Sequence, residues 1–172
     1  QYPPGIPADI DIHEFASLTD VLLVSCQRFD DLPAYSNMGT SMSYAELERS
    51  SRHFAAYLQK SLGLRRGDRV ALMMPNLLQY PVALFGVLRA GLVVVNVNPQ
   101  YTVPELEHQL LDSGTVAIVV LENFAHTLQA VLQRNLALNP IVITTEVGDL
   151  FPLVKELLTN AVVKLVKHLV PP

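Results

Sequence analysis

Hydrophobic and polar positions follow two alternating patterns along this chain. One is the three-to-four-residue spacing of an amphipathic helix, and the other is a short unbroken apolar run that is typical of a buried strand. Apolar runs predict strands at residues 69–74, 92–97, 116–121 and 141–145. Segments with helical spacing separate them. The sequence therefore predicts an α/β fold with a mostly parallel sheet, flanked by helices on both faces.

Capping signals set the helix boundaries. Three pairs of polar residues, each three positions apart, predict capped helix N-termini. They are Ser43 with Glu46, Asn76 with Gln79, and Thr102 with Glu105. Helices are predicted at 17–29, 43–62, 77–90, 102–113 and 123–133, and a small hairpin at 34–43. The chain is expected to divide into an N-terminal arm, helix and hairpin (1–43), an α/β subdomain (44–150) and an amphipathic C-terminal helix (151–172).

The predicted C-terminal helix has an aliphatic face and a basic one. Val154, Leu157, Leu158, Ala161, Val162, Leu165 and Leu169 share the aliphatic face, and the opposite side carries Lys155, Lys164 and Lys167. Such a helix can pack on another part of a protein or lie on an anionic membrane surface. Two net positive charges, each contributing about 1 kcal/mol of attraction to an anionic surface, predict only weak adsorption to a membrane. Packing on another part of a protein is therefore the favoured interpretation.

Composition narrows the function classes. Half of the 172 residues are hydrophobic and the formal net charge is −4, so disorder is excluded and no nucleic-acid partner is expected. A mean hydropathy of +0.30 predicts apolar surface that something else covers. Arg89 interrupts the apolar stretch 77–97, which argues against a membrane span. The single cysteine, Cys26, and the absence of a visible leader predict a cytoplasmic location.

The carboxyl ends of the predicted strands are where a parallel sheet binds ligands. They carry Pro75-Asn76, Asn98-Pro99, Glu122-Asn123 and Thr145-Glu146, which form no recognisable catalytic set. The eight glycines assemble neither of the two common phosphate-binding motifs. A nucleophile elbow and a zinc-protease motif are also absent. Dinucleotide binding, a P-loop NTPase, an α/β-hydrolase and a zincin are therefore not expected.

Four further features have simple structural interpretations. Two Glu–His pairs have helical spacing, Glu105 with His108 and Glu122 with His126. A di-iron site would need a second Glu–His copy and two more glutamates, so a solvated helix face is the simpler interpretation. Cys26 is expected to be a small buried side chain, and Asp68 part of a turn. The residues themselves assign no catalytic, cofactor-binding or metal-binding group.

Longer strings resemble the adenylate-forming superfamily. Residues 42–47, MSYAEL, are similar to its early Leu-Thr-Tyr-x-Glu-Leu motif, and residues 88–99, LRAGLVVVNVNP, are similar to its second early motif. Residues 75–86 and much of 101–114 resemble bacterial long-chain fatty-acid CoA ligases in particular. Gln100 stands where leucine is more usual in that subgroup.

This resemblance implies an enzyme that joins a fatty acid to ATP as an acyl-adenylate, with magnesium, and then transfers the acyl group to coenzyme A. It also implies that the phosphate loop, the ATP and magnesium pair, the ribose-binding aspartate and the lid lysine follow the matched region. The chain is therefore expected to be the N-terminal subdomain of a longer ligase. By itself it is expected to be inactive and to bind none of these cofactors tightly.

A non-enzymatic α/β module is the alternative. It would self-associate, for example as a homodimer, or adsorb to the inner face of the cell membrane through the 151–170 helix with Lys155, Lys164 and Lys167. A small flavodoxin-like regulator is disfavoured, because the first core strand ends in Met73-Met74-Pro75 without an acidic phosphoacceptor.

Overall fold

A computed structural model describes residues 3, 5, 9, 11, 13–166 and 170 of the chain. The helices are α1 (Leu18–Arg28), α2 (Tyr44–Ala56), α3 (Gln79–Arg89), α4 (Val103–Ser113), α5 (Ala125–Arg134) and α6 (Leu153–Ala161). The strands are β1 (Pro33–Asn37), β2 (Thr40–Ser43), β3 (Arg69–Met73), β4 (Val93–Asn96), β5 (Ala117–Leu121) and β6 (Ile141–Thr145). Single π-helical turns extend α2 over Tyr57–Ser61 and α6 over Val162–Val166, and a 3₁₀ turn, Glu122–Phe124, precedes α5.

Strands β3 to β6 form the parallel sheet that the apolar runs predict. Their order is β4-β3-β5-β6, with Val70 opposite both Val94 and Ala117, and Val119 opposite Ile143. The chain moves from β3 to β4 in one direction and then returns past β3 to β5. The direction of winding therefore reverses between β3 and β5, which is where an open parallel sheet forms its ligand crevice.

Helices cover both faces of this sheet. Val70 and Leu72 pack with α2 and α3 on one face, while Ala71 and Met73 pack with α4 and α5 on the other. This division follows from the two-residue period of a pleated strand. Strand β5 is buried at every position, since it lies inside the sheet and is covered on both faces.

The N-terminal part forms the helix and hairpin that the sequence predicts. Ser17 caps α1, because its Oγ accepts a hydrogen bond from the Asp20 N–H at 3.1 Å. Strands β1 and β2 pair antiparallel, and their turn has positive φ at Met38 (48°) and Gly39 (70°). A two-residue hairpin turn of type I′ needs positive φ at both positions, so Gly39 is well suited to the second.

Two of the three predicted caps are confirmed. The Ser43 N–H donates to Glu46 Oε2 at 2.8 Å, and the Glu46 N–H donates to Ser43 Oγ at 3.2 Å. Glu105 Oε2 accepts from the N–H and the hydroxyl of Thr102 at 2.8 and 2.6 Å. These bonds satisfy backbone donors that a helix start leaves unpaired.

The predicted cap by Asn76 and Gln79 is wrong. Helix α3 begins at Gln79 without a side-chain cap, after a turn in which the Leu77 N–H donates to the Pro75 carbonyl at 2.8 Å. The Gln79 side chain is buried and donates instead to the Glu146 carbonyl at 2.6 Å. A bond between segments 67 residues apart in sequence thus replaces the local one.

An ion pair accounts for the charged residue Arg89 within the apolar stretch of α3. Its Nη2 atom lies 2.9 Å from Glu48 Oε1 of α2, and its side chain is only 14% exposed. The pair joins the two helices that cover one face of the sheet.

Among the residues that the structure describes, no helix has the length and apolarity needed to cross a bilayer.

Candidate functional site

The carboxyl edge of the sheet is the candidate site, because the winding reverses between β3 and β5 there. Strand β3 ends at the buried Met73, and the buried Met74 and then Pro75 follow it. Strand β5 leads into Glu122, and strand β6 leads into Glu146. The edge therefore has buried apolar residues at the end of β3 and a carboxylate after each of strands β5 and β6.

Helix α6 places a lysine between these two carboxylates. Lys164 Nζ lies 2.8 Å from Glu146 Oε1 and 3.0 Å from Glu122 Oε2. Hydrogen bonds to Glu146 and Glu122 raise the pKa of Lys164 above its ordinary value. One oxygen of each carboxylate therefore forms an ion pair with the same ammonium group.

Two more polar residues attach α6 to the rest of the chain. Asn160 Oδ1 accepts a hydrogen bond from the Gly148 N–H at 2.8 Å. Lys155 Nζ donates to the Met38 carbonyl and, at 2.8 Å, to Thr40 Oγ1 of the hairpin. The same ammonium lies 4.7 Å from the centre of the Phe151 ring. Helix α6 therefore docks through its polar side.

The aliphatic side of α6 faces solvent. Its exposed fractions are 69% for Leu153, 70% for Val154, 62% for Leu157, 63% for Leu158 and 72% for Leu165. The predicted amphipathic helix is present through Val166, and its polar face rather than its aliphatic face contacts the body of the chain. Lys167, His168 and Leu169, which the sequence places in this helix, lie outside the described residues.

The outer edge of β6 is a second exposed apolar region. Strand β6 ends the sheet, so within the described residues it has a neighbour on one side only. Ile141 and Val142 are 38% and 43% exposed. A groove of about 560 Å³ runs between α5 and β6, and its lining includes Leu132, Val142 and Val170. The surface beside β6 is therefore apolar and open.

A second cavity lies between α3 and β6 on the opposite face. It has a volume of about 240 Å³, and its mostly apolar lining includes Phe54, Val119 and Ile143. Gln79 also lines it, and the buried Gln79 Oε1 has no hydrogen-bond partner in the described residues. Gln79 Nε2 is engaged with the carbonyl of Glu146.

The polar residues at the other strand ends have structural roles. Asn96 Oδ1 accepts from Tyr80 Oη at 2.8 Å, and the Asn96 carbonyl accepts from Gln109 Nε2 at 2.9 Å. Asn98 Oδ1 accepts from the Gln100 N–H at 3.0 Å, which closes a turn. These bonds join α3 and α4 to the end of β4 and account for two of the polar side chains at this edge.

The Glu–His pairs are not brought together as a metal site. Glu105 caps α4, and the two hydrogen bonds from Thr102 lower the pKa of its carboxyl. Glu122 is paired with Lys164, while His126 Nε2 lies 3.3 Å from Thr127 Oγ1. In the part of the chain that the structure describes, no group of three or more His, Cys, Asp or Glu side chains is arranged to hold a metal ion.

Cys26 and Asp68 have the simple roles that the sequence predicts. Cys26 is 5% exposed, and burial, followed by the charge of Glu48, raises the pKa of its thiol. A raised pKa makes a thiol a poor nucleophile at neutral pH. Asp68 Oδ2 accepts from the Arg65 N–H at 2.7 Å in the turn before β3.

The residues at this edge do not fit ATP with magnesium. Magnesium binds carboxylate oxygens, and one oxygen of each of Glu122 and Glu146 is instead paired with Lys164, at 3.0 and 2.8 Å. A phosphate cradle needs several free backbone N–H groups, commonly from a glycine-rich loop, and the loop after β3 is Met74-Pro75-Asn76-Leu77-Leu78. In the described residues, this edge therefore has a proline-containing loop after β3 and two carboxylates that each form an ion pair with Lys164.

The orientation of α6 and the role of Gln79 are absent from the sequence predictions. A signal for the first exists, because Lys155, Asn160 and Lys164 all lie outside the aliphatic face of the helix. Two glutamates also follow strands that a parallel sheet places side by side. A lysine on a helix after β6 then has two carboxylates within reach.

Solved structures define the class of protein to which this fold belongs. A benzoate CoA ligase from Burkholderia xenovorans LB400 superposes with a TM-score of 0.68 at 26% sequence identity, over 74% of this chain and 25% of that chain. The family model described as AMP-binding enzyme matches residues 22–169. This chain belongs to the AMP-binding enzyme family.

The curated relatives indicate a particular branch of that family. Long-chain-fatty-acid CoA ligases from Yersinia pestis and from Escherichia coli O157:H7 are each 56% identical to this chain over 171 residues. The matches cover 99% of this chain and 30% of each relative. The chain thus spans about 30% of the length of the curated relatives that it matches.

Proposed function

We propose that this chain is the N-terminal subdomain of a bacterial long-chain fatty-acid CoA ligase. The observation that carries the proposal is the similarity to such ligases, at 56% identity over 171 residues, which is 99% of this chain. The whole enzyme would use ATP and magnesium to form an acyl-adenylate from a fatty acid, releasing pyrophosphate. It would then transfer the acyl group to coenzyme A.

In that enzyme the chain would supply framework rather than reacting groups. Residues 1–43 would form the N-terminal arm, helix and hairpin, 44–150 the α/β subdomain, and 151–172 the helix that leads to the rest of the ligase. Several polar groups at the carboxyl edge are committed to structural bonds, as in the Lys164–Glu146 pair. We assign no catalytic residue to this chain, and we place the sites for ATP, magnesium and coenzyme A elsewhere in the ligase.

A hybrid ligase tests this proposal. In the hybrid, the chain replaces the matching part of the Yersinia pestis ligase. Fatty-acid-dependent exchange of pyrophosphate into ATP is expected from the hybrid with magnesium and is not expected from the chain alone. Exchange by the chain alone would show that it contains an adenylation site, and the assignment of a framework role would fail.

A second function rests on the exposed aliphatic side of α6. As a non-enzymatic module, the chain would form a homodimer through this helix or lie peripherally on the cytoplasmic face of the membrane. Lys155 and Lys164 would both have to leave protein oxygens to reach anionic lipid, which favours self-association over adsorption. Co-sedimentation with anionic vesicles, with and without Lys155, Lys164 and Lys167 changed to glutamate, tests adsorption. Concentration-dependent sedimentation tests the homodimer.

A further inference from the structure

Helix α6 is attached in the orientation opposite to that of an ordinary amphipathic helix. Lys155, Asn160 and Lys164 bind the body of the chain, and the large aliphatic side chains point outward. A helix of this type normally buries its aliphatic side. An exposed, contiguous aliphatic surface on a soluble domain marks a place where something else binds.

A second exposed apolar region lies beside β6. Val170 lines the groove beside β6 together with Val142, and the outer edge of β6 has no strand next to it in the described residues. An unpaired parallel strand carries backbone donors and acceptors that a further strand can satisfy. We define the α6–β6 surface as Leu153, Val154, Leu157, Leu158 and Leu165 with the groove and free edge at β6.

The occupant of the α6–β6 surface follows from the extent of the family match and from charge. The AMP-binding enzyme family model matches residues 22–169, a range that includes all of α6. More than two thirds of each curated relative lies outside the matched part. Anionic lipid is a poor partner, because Lys155 and Lys164 point inward and are bound to protein oxygens.

We infer that the α6–β6 surface is the intramolecular docking surface for the part of the AMP-binding domain that lies outside this chain in its relatives. The inference rests on the proposed function. Lys155, Asn160 and Lys164 would fix α6 in advance, so that docking orders fewer side chains and loses less conformational entropy. These three residues are therefore positioning residues for an interface within the ligase.

Thiol labelling tests the inference, with native Cys26 as an internal reference. Cys26 is 5% exposed and its thiol pKa is raised, so it reacts slowly while the chain is folded. Leu158→Cys places a thiol on the α6–β6 surface, and Leu111→Cys places a matched one on α4, where Leu111 is 51% exposed. Both variants are expected to react rapidly in the chain alone. In the hybrid ligase, the labelling rate of the Leu158→Cys variant is expected to fall to about one tenth of its rate in the chain alone, or lower. The labelling rate of the Leu111→Cys variant is expected to stay unchanged.

Equal labelling of Leu158→Cys in the chain and in a folded hybrid overturns the inference. Protection in the chain alone that depends on phosphatidylglycerol vesicles identifies lipid as the occupant, and protection that depends on chain concentration identifies a second copy. Either result also overturns it. A hybrid that does not fold is recognised by rapid reaction at Cys26, and the Escherichia coli O157:H7 ligase then supplies the remainder.

Acyl-CoA formation by the hybrid is measured separately from labelling. A protected Leu158→Cys site in an inactive hybrid supports the docking surface and contradicts the proposed function. An active hybrid with an unprotected site contradicts the docking surface and supports the proposed function. The two claims therefore fail independently.

Discussion

Lys164 Nζ lies 2.8 Å from Glu146 Oε1, so a lysine in the π-helical turn after α6 is bound to the carboxylate that follows β6. The same ammonium reaches Glu122, which follows the neighbouring strand β5. One side chain thus connects α6 to the carboxyl edge at two strand ends. Parallel sheets bind their ligands at this edge. The Lys164 contacts hold α6 beside the edge with its aliphatic side exposed.

Loss of the Lys164 ammonium is expected to loosen α6 more than the sheet. Lys164→Met leaves Glu122 and Glu146 without their cation, and the partners are 30% and 34% exposed, so solvent screens much of the interaction. The free energy of unfolding should fall by about 1 kcal/mol or less. Hydrogen exchange should accelerate in α6 and stay unchanged in β3. Lys60→Met, at an exposed position, is the control, and unchanged protection of α6 would contradict the role of Lys164.

Alkaline pH is expected to weaken the fold through Lys164 and Cys26. Both groups have pKa values raised in the folded chain above the ordinary values of 10.5 and 9.0. A raised folded pKa gives stability that is complete below the ordinary value and is lost as the pH rises through the folded value. The loss at Cys26 therefore begins above pH 9.0 and that at Lys164 above pH 10.5.

Urea unfolding at increasing pH measures this loss. Cys26→Ala should remove the part that begins at the lower pH, and Lys164→Arg should reduce the other part, because the guanidinium stays charged. A stability that is constant up to pH 11 or so in the unmodified chain would show that neither group is coupled to folding.

Gln79 is expected to tolerate an apolar replacement better than a charged one. Its Nε2 donates to the Glu146 carbonyl at 2.6 Å, and its Oε1 is buried without a hydrogen-bond partner in the described residues. Gln79→Met removes the donor and also the unpaired acceptor, so the net cost should be about 1 kcal/mol. Gln79→Glu directs a buried carboxylate at a carbonyl oxygen and should cost about 2 kcal/mol or more at neutral pH.

The pH dependence separates the two Gln79 variants. Burial raises the pKa of an unpaired carboxyl, so the Gln79→Glu variant should regain stability as the pH falls and the group becomes neutral. The stability of the Gln79→Met variant relative to the unmodified chain should not depend on pH in this range. Equal stabilities for the two variants at neutral pH would contradict the described environment of Gln79.

Close packing of α2 against α3 requires a glycine at position 86. A Cβ atom on Gly86 would lie 2.6 Å from Phe54 Cδ1 and 3.2 Å from the Ser51 carbonyl oxygen. Gly86→Ala should therefore lower the free energy of unfolding by about 1 to 3 kcal/mol. In a Phe54→Ala background the same change should cost less, since alanine has no δ carbon at the position that the new Cβ would meet. Equal costs in both backgrounds, measured by urea unfolding, would place the strain elsewhere.

The sequence predicts what short-range chemistry decides. The capping box of Ser43 and Glu46 and the buried run that becomes β5 depend on neighbours three residues away or on a continuous apolar pattern. The parallel sheet follows from alternation of such elements. Its strand order is not encoded in any single segment, because it depends on how each helix crosses the sheet.

Long-range contacts explain the wrong prediction at Gln79 and the unpredicted orientation of α6. Gln79 looks like a capping partner of Asn76, but its side chain binds a carbonyl 67 positions away, which no local pattern indicates. The amphipathic pattern of α6 is visible, yet which side docks depends on where Glu122 and Glu146 lie in the folded sheet.

Thioester formation by the hybrid ligase tests the central claim most directly. The hybrid is incubated with ATP, magnesium, coenzyme A and fatty acids of long and short chain, and acyl-CoA is quantified while slow labelling of Cys26 confirms folding. We expect long-chain acyl-CoA from the hybrid and none from the chain alone. A folded hybrid that forms no acyl-CoA, or a chain that forms it unaided, would contradict the assignment of this chain as the N-terminal framework of a long-chain fatty-acid CoA ligase.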